Sequence, residues 1–168
     1  MTLETAVQAE INIQDYFFED AQPPIAIATW QEWFQIWLNH LKPNLVAHNQ
    51  YELSLRLTND AEIQTFNAQY RQIDQPTDVL AFAALETDYP ELDELETAPL
   101  YLGDIVISVE TAQQQAIAQQ HSLNQELAWL AAHGLLHLLG WDHPDDDSLA
   151  QMLHQQAVLL ETVGLGSE

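Results

Sequence analysis

The sequence predicts an α+β domain: a small mixed β-sheet of about four strands with helices packed on it. Runs that alternate apolar and polar residues interleave with longer runs of helical period, which is the first observation behind that class. The second is size, since 168 residues at 47% hydrophobic content can bury one sizeable core. The third is the segment from Leu127 to Leu139, apolar on nearly every side, which must be a buried helix around which other elements pack. No internal repeat or linker divides the chain, so residues 1–168 are read as one domain.

The elements follow in order. Ala6 to Ile13 alternates well enough for a strand. Pro23 and Pro24 then break the chain before a helix from Thr29 to His40. Along it and just past its end Trp30, Trp33, Phe34, Trp37, Leu38 and Leu41 recur at helical spacing, a stripe read as core packing rather than as a ligand site. Leu53, Leu55 and Leu57 alternate with Ser54 and Arg56 and predict a half-buried strand. Thr58 or Asn59 can cap the next helix, Asp60 to Tyr70, with Glu62 placed to complete a capping box. After Pro76, Asp78 to Phe82 reads as a strand, and Glu86 to Glu96, with six acids, reads as a solvated loop. Leu100 to Ser108 is a further strand, in which Gly103 marks a bulge or a close approach to substrate. A helix from Val109 to Gln119 follows. Ser122 with Gln125 forms a capping-box pattern at the start of the buried helix, and a last helix spans Asp146 to Thr162. The Asp145, Asp146 and Asp147 run lies at its N-terminus, where the helix dipole favours negative charge, so no second metal is needed to explain it.

The chemistry is concentrated in AAHGLLHLLGWDH. Four residues along a helix is a rise of about 6 Å and slightly more than a turn, so His133 and His137 project from one face. Gly140 stands where a left-handed residue commonly stops a helix, and the chain can then fold back to bring His143 to the same point. A histidine pair four apart also arises by chance, but two imidazoles in so apolar a helix need strong partners. We therefore read His133, His137 and His143 as ligands of one metal ion, with zinc as the default. Imidazole also suits copper, nickel and iron. Three imidazoles leave one position of a tetrahedral zinc open to water, acidified to a pKa of about 7, which marks a catalytic site.

Composition bounds the partners. There is no cysteine, hence neither disulfides nor a thiolate site. The N-terminal segment lacks the basic cluster and apolar run of a signal peptide, and Leu127 to Trp141 is too short to span a bilayer comfortably, so the expectation is a cytoplasmic protein with no membrane partner. Three basic residues, Lys42, Arg56 and Arg71, face 26 acidic ones for a formal charge of −23. Such a surface repels phosphate backbones and favours basic partners, although acidity can equally serve solubility alone.

HGLLHLLGWDH resembles the histidine signature of the YbeY family of bacterial endoribonucleases, the ribosomal RNA maturation factors. FNAQYRQIDQPTDVLAF resembles that family's central segment and YLGDIVIS its Gly-Asp-Ile strand. The three blocks lie in order from Phe66 to His143. The resemblance implies one zinc held by His133, His137 and His143 in a cleft against a mixed sheet, with Arg71 in the position of the family's active-site arginine. It also implies single-strand-specific cleavage of ribosomal RNA, in 3′-end maturation of the small-subunit RNA and in ribosome quality control. Asp142, inside the signature, either orients a ligand or water or is only a turn residue.

On this reading zinc polarises a phosphoryl oxygen or supplies hydroxide while Arg71 neutralises transition-state charge. The plainer alternative for Arg71 is a surface salt bridge to Asp74 or Asp78. Two rival functions remain. The histidine spacing equals that of metzincin proteases, but the general-base glutamate that follows their first histidine is Gly134 here. A zinc-stabilised assembly factor with little turnover, docked on basic ribosomal proteins or other ribosome assembly factors, suits the acidic charge.

Overall fold

The computed structural model describes residues 7–18, 22–43, 45–46, 49–84 and 99–165. The predicted acidic loop at 86–96 lies outside them. Nine elements run in the order β1 (Gln8–Asp15), α1 (Ile27–Leu41), β2 (Gln50–Thr58), α2 (Asp60–Arg71), β3 (Val79–Ala83), β4 (Leu100–Ser108), α3 (Val109–Gln119), α4 (Leu123–Leu138) and α5 (Asp146–Thr162). The sheet is four-stranded and mixed, in the order β1-β2-β4-β3, with β3 alone antiparallel. The α+β expectation holds. The last helix and α3 begin and end where the sequence places them, while α1 starts two residues early and β1 is displaced by two residues toward the C-terminus.

Strand alternation sorts the sheet into two faces. Leu53, Leu55 and Leu57 of β2 and Ile105 and Ile107 of β4 enter the main core with Trp30, Phe34 and Trp37 of α1 and the apolar body of α4. The aromatic stripe is therefore core, as expected from its spacing, and the Trp37 Nε1–H donates to the Leu159 carbonyl at 2.9 Å, tying α1 to α5. Leu80 and Phe82 of β3 and Val106 of β4 turn to the opposite face, where Ile63 and Phe66 of α2 cover them.

The caps explain where the helices start. Asn59, not Thr58, caps α2 by accepting from the Glu62 amide at 2.9 Å, a bond of about 1 kcal/mol. The predicted capping box is not completed there, because the Glu62 carboxylate turns instead to Arg56. A reciprocal box forms at α5, between Asp145 and Ser148, so Asp145 serves as the cap while Asp146 and Asp147 occupy the first turn.

Two glycines set how closely layers approach. Gly103 has φ +135°, and a Cβ there would stand 2.1 Å from the Phe82 carbonyl oxygen. The register between β2 and β4 shifts beside it, between Glu52 and Leu53. The expected bulge is present, and the close approach is to strand β3 rather than to a substrate. Gly134 lies against Ile105, whose Cγ2 would be 2.7 Å from an added Cβ. That contact lets α4 lie low on the sheet and brings its histidine face over β3.

Candidate metal centre

The geometry of the histidine helix follows from its periodicity and its stop. His133 and His137 stack one turn apart on α4, their rings 4.5 Å between centroids. The helix then closes with Gly140 at φ +97°, the Gly140 amide donating to His137 and the Trp141 amide to Leu136. These two bonds form a Schellman motif, which needs a left-handed residue at that position. The reversal carries His143 to within 6.0 Å of the His133 ring and 5.5 Å of the His137 ring.

One nitrogen from each of the three rings lies within 4.8 Å of the others, so the group can hold a metal ion. The His133 and His137 Nε2 atoms are 3.0 Å apart, near the roughly 3.4 Å between two ligands of a tetrahedral zinc. The ring chemistry fits as well. Gln156 of α5, fully buried, directs its Nε2 to the Trp129 carbonyl and so presents Oε1 to His133 Nδ1 at 3.0 Å. An amide oxygen only accepts, so this contact calls for a proton on Nδ1 and leaves Nε2 as the nitrogen that faces the other histidines. Burial, followed by the neighbouring His133 and His143, lowers the pKa of His137 against a smaller opposing effect of Asp142. That direction favours the neutral ring, the state a metal ligand requires.

The histidines open into a cleft of about 700 Å³ whose opposite wall is β3 and the C-terminal end of α2. Arg71, the last residue of α2, lines this cleft. The salt bridge to Asp74 or Asp78 that the sequence allowed is not formed: among the described residues the ion pairs are Arg56–Glu62 and His121–Glu126. Asp78 is instead held by the Val79 amide and Gln115, and Asp74 by Gln64. Asp142 also lines the cleft, and its Oδ1 accepts from the His143 amide at 2.8 Å, so this turn residue pins the backbone that carries the third histidine. The position of Gly134 speaks to the protease alternative. It faces Ile105 across the helix–sheet contact, where a glutamate side chain has no room.

Sequence reasoning missed Gln156. The signal was present: Met152, Gln156, Leu159 and Leu160 form the buried stripe of α5, and a glutamine at an apolar position of such a stripe needs a partner.

Comparison with known proteins agrees with this architecture. The family model described as Endoribonuclease YbeY matches residues 15–164. A protein named Endoribonuclease YbeY from Nostoc sp. (strain PCC 7120) is 57% identical, over 95% of this chain and 92% of its own length. One of the same name from Cyanothece sp. (strain PCC 7425) is 59% identical over 95% of each. The solution structure of TM1509 from Thermotoga maritima superposes with a TM-score of 0.56 over 91% of this chain and 88% of that one, at 22% identity, a likeness of fold. A three-histidine helix and turn, an arginine-bearing cleft and a match of this extent have one common explanation: the chain belongs to the YbeY family.

Proposed function

We propose that this chain is a single-strand-specific, zinc-dependent endoribonuclease that acts, as a single cytoplasmic domain, in 3′-end maturation of small-subunit ribosomal RNA and in ribosome quality control. The endoribonuclease activity rests on family membership and on relatives of that name at 57% and 59% identity. The observation that carries the metal dependence is the convergence of three imidazole nitrogens on one point of an open cleft. No helix among the described residues is long and apolar enough to cross a membrane.

When bound, zinc supplies Lewis acidity toward a phosphoryl oxygen and a means of generating a nucleophile at neutral pH. The remaining work falls to the chain. His133, His137 and His143 hold the ion, Gln156 keeps the proton of His133 on Nδ1, and Asp142 holds the turn behind His143. Arg71, unpaired among the described residues and directed to the same cleft, offers a planar fork for two phosphate oxygens as charge builds on them. With Gly134 against the sheet, the glutamate base of peptide hydrolysis is missing, and phosphate chemistry suits the site better.

The formal charge of −23 supports an additional role for basic ribosomal proteins or other assembly factors in delivering the RNA. Nuclease-free protein, assayed for metal content and for cleavage of single-stranded ribosomal RNA beside His137→Ala and Arg71→Ala, tests the proposal. Wild type should contain one zinc per chain and cleave. His137→Ala should lose both properties, and Arg71→Ala cleavage alone. Equal cleavage by wild type and His137→Ala would refute the enzyme reading and leave a metal-stabilised assembly factor.

A further inference from the structure

A chain with three basic residues against 26 acidic ones cannot draw much affinity for RNA from phosphate neutralisation. The remaining sequence-tolerant source is stacking of unpaired bases on aromatic rings. Seven large apolar side chains stand exposed among the described residues, and of these only Tyr70 lines the histidine cleft. It is 57% exposed. Its ring meets Phe82 of β3 edge-to-face at 5.2 Å, with 64° between the planes, an arrangement that cannot cover both faces of Tyr70. Tyr16, another exposed aromatic, differs in having the Arg56 guanidinium 4.2 Å above its ring. Tyr70 immediately precedes Arg71 and also lines a second cavity of about 570 Å³ across β3, with Arg56, Phe66 and Phe82. Tyr70 therefore stands at the rim between two adjoining cavities, the first lined by Arg71, which has no ion pair among the described residues, and the second by Arg56, which is paired with Glu62.

We propose, resting on the RNA reading above, that Tyr70 is a substrate-binding residue whose free face stacks one unpaired nucleobase next to the phosphate held near Arg71 and the histidines. A paired base is stacked within its own duplex and cannot reach the ring, so Tyr70 contributes to single-strand preference. The test uses the zinc-loaded full chain and a single-stranded RNA oligonucleotide, with a set of copies each carrying one abasic nucleotide. For wild type, one abasic position beside the cut should raise KM about tenfold with kcat changed by less than about twofold. Tyr70→Phe, which keeps the ring, should still register the abasic position. Tyr70→Leu, which keeps an apolar side chain against Phe82 but has no ring, should raise KM for the intact strand about tenfold and no longer register the abasic position. Normal cleavage by wild type with an unchanged KM in Tyr70→Leu, or with the abasic penalty retained in it, would overturn the stacking role and leave the nuclease reading standing. Absence of cleavage by wild type above a His137→Ala control would overturn both.

Discussion

The two edges of the sheet face the same physical problem and are finished differently. At β1 the outward backbone is bound by α1: Gln35 accepts from the Ala9 amide, Gln31 accepts from the Ile11 amide, and their side-chain amides donate to the Val7 and Ala9 carbonyls. Two glutamines one helical turn apart thus act as a substitute strand. At β3 the Ser108 amide donates to the Asp78 carbonyl, a register that points the backbone groups of Leu80 and Phe82 toward β4 and those of Val79, Ala81 and Ala83 away from it, while the side chains of these three pack on the main core. The Asp78 carboxylate takes the Val79 amide, while Ala81 and Ala83 line the cleft beneath the histidines. Unpaired edges invite association. Here the edge far from the histidines is closed by the protein's own side chains, and the edge beside them borders the cleft.

The largest way to break that contrast is to dislodge β3. Gly103→Ala places a Cβ 2.1 Å from the Phe82 carbonyl in a backbone conformation that L-residues avoid. Strain and overlap together should cost about 3–5 kcal/mol. Gly140→Ala has nothing within 4 Å of the new atom and should lose only the positive-φ preference, about 1 kcal/mol. Urea midpoints of the two variants give the ranking, and equal midpoints would mean that β3 is not held by this contact.

Opening the other edge should come next. Gln31→Leu with Gln35→Leu removes four bonds to the β1 backbone, each worth about 1 kcal/mol net, so the pair should lose about 2–4 kcal/mol. Light scattering should also report self-association through the freed strand, while metal content stays that of wild type. A stable, monomeric double variant would show that β1 needs no cover.

The third effect is local to the cleft. Gln156→Leu leaves the helix apolar and well filled but frees the His133 ring, and removal of such an orienting partner typically lowers metal affinity about 10–100-fold. Chelator competition should read that loss, with Gln156→Glu, which also accepts from Nδ1, close to wild type. An unchanged affinity in Gln156→Leu would remove Gln156 from the site.

What could be read from the sequence divides along the same line of local against distant. His133, His137, Gly140 and His143 are legible because one helical period and one Schellman stop place them, all within eleven consecutive residues. The aromatic stripe of α1 is legible for the same reason. Arg71 came from a resemblance, since its place in the cleft depends on α2 ending beside β3 while α4 crosses over it, which no local period encodes. Gln156 reaches His133 across 23 residues of sequence, and its signal was a polar residue in an apolar stripe. Gly103 was legible as a close approach, but what it approaches is a strand 20 residues away in the chain. The glutamine seal on β1 is likewise a tertiary fact, invisible in two polar positions of an amphipathic helix.

The smallest effect separates the two arginines as the edges are separated. Arg56 is committed: its Nε and Nη2 donate to the two Glu62 oxygens at 2.7 and 3.0 Å, and this hydrogen bonding, outweighing burial, lowers the Glu62 pKa from 4.5. A carboxylate with a depressed folded-state pKa binds more protons when unfolded. Its stabilisation is therefore fully present above about pH 4.5 and is lost as pH falls through the folded value. Because the Glu62 side chain is 34% exposed, solvent screening limits the contribution to less than about 1 kcal/mol. Glu62→Gln should thus be slightly less stable than wild type at neutral pH, with the difference shrinking as pH falls below 4.5. Arg71→Gln, with no ion pair among the described residues to lose, should show no such pH-dependent difference in denaturation midpoint while impairing cleavage. A matching acid-range stability loss in Arg71→Gln would identify Arg71 as a structural cation and remove it from the cleft's chemistry.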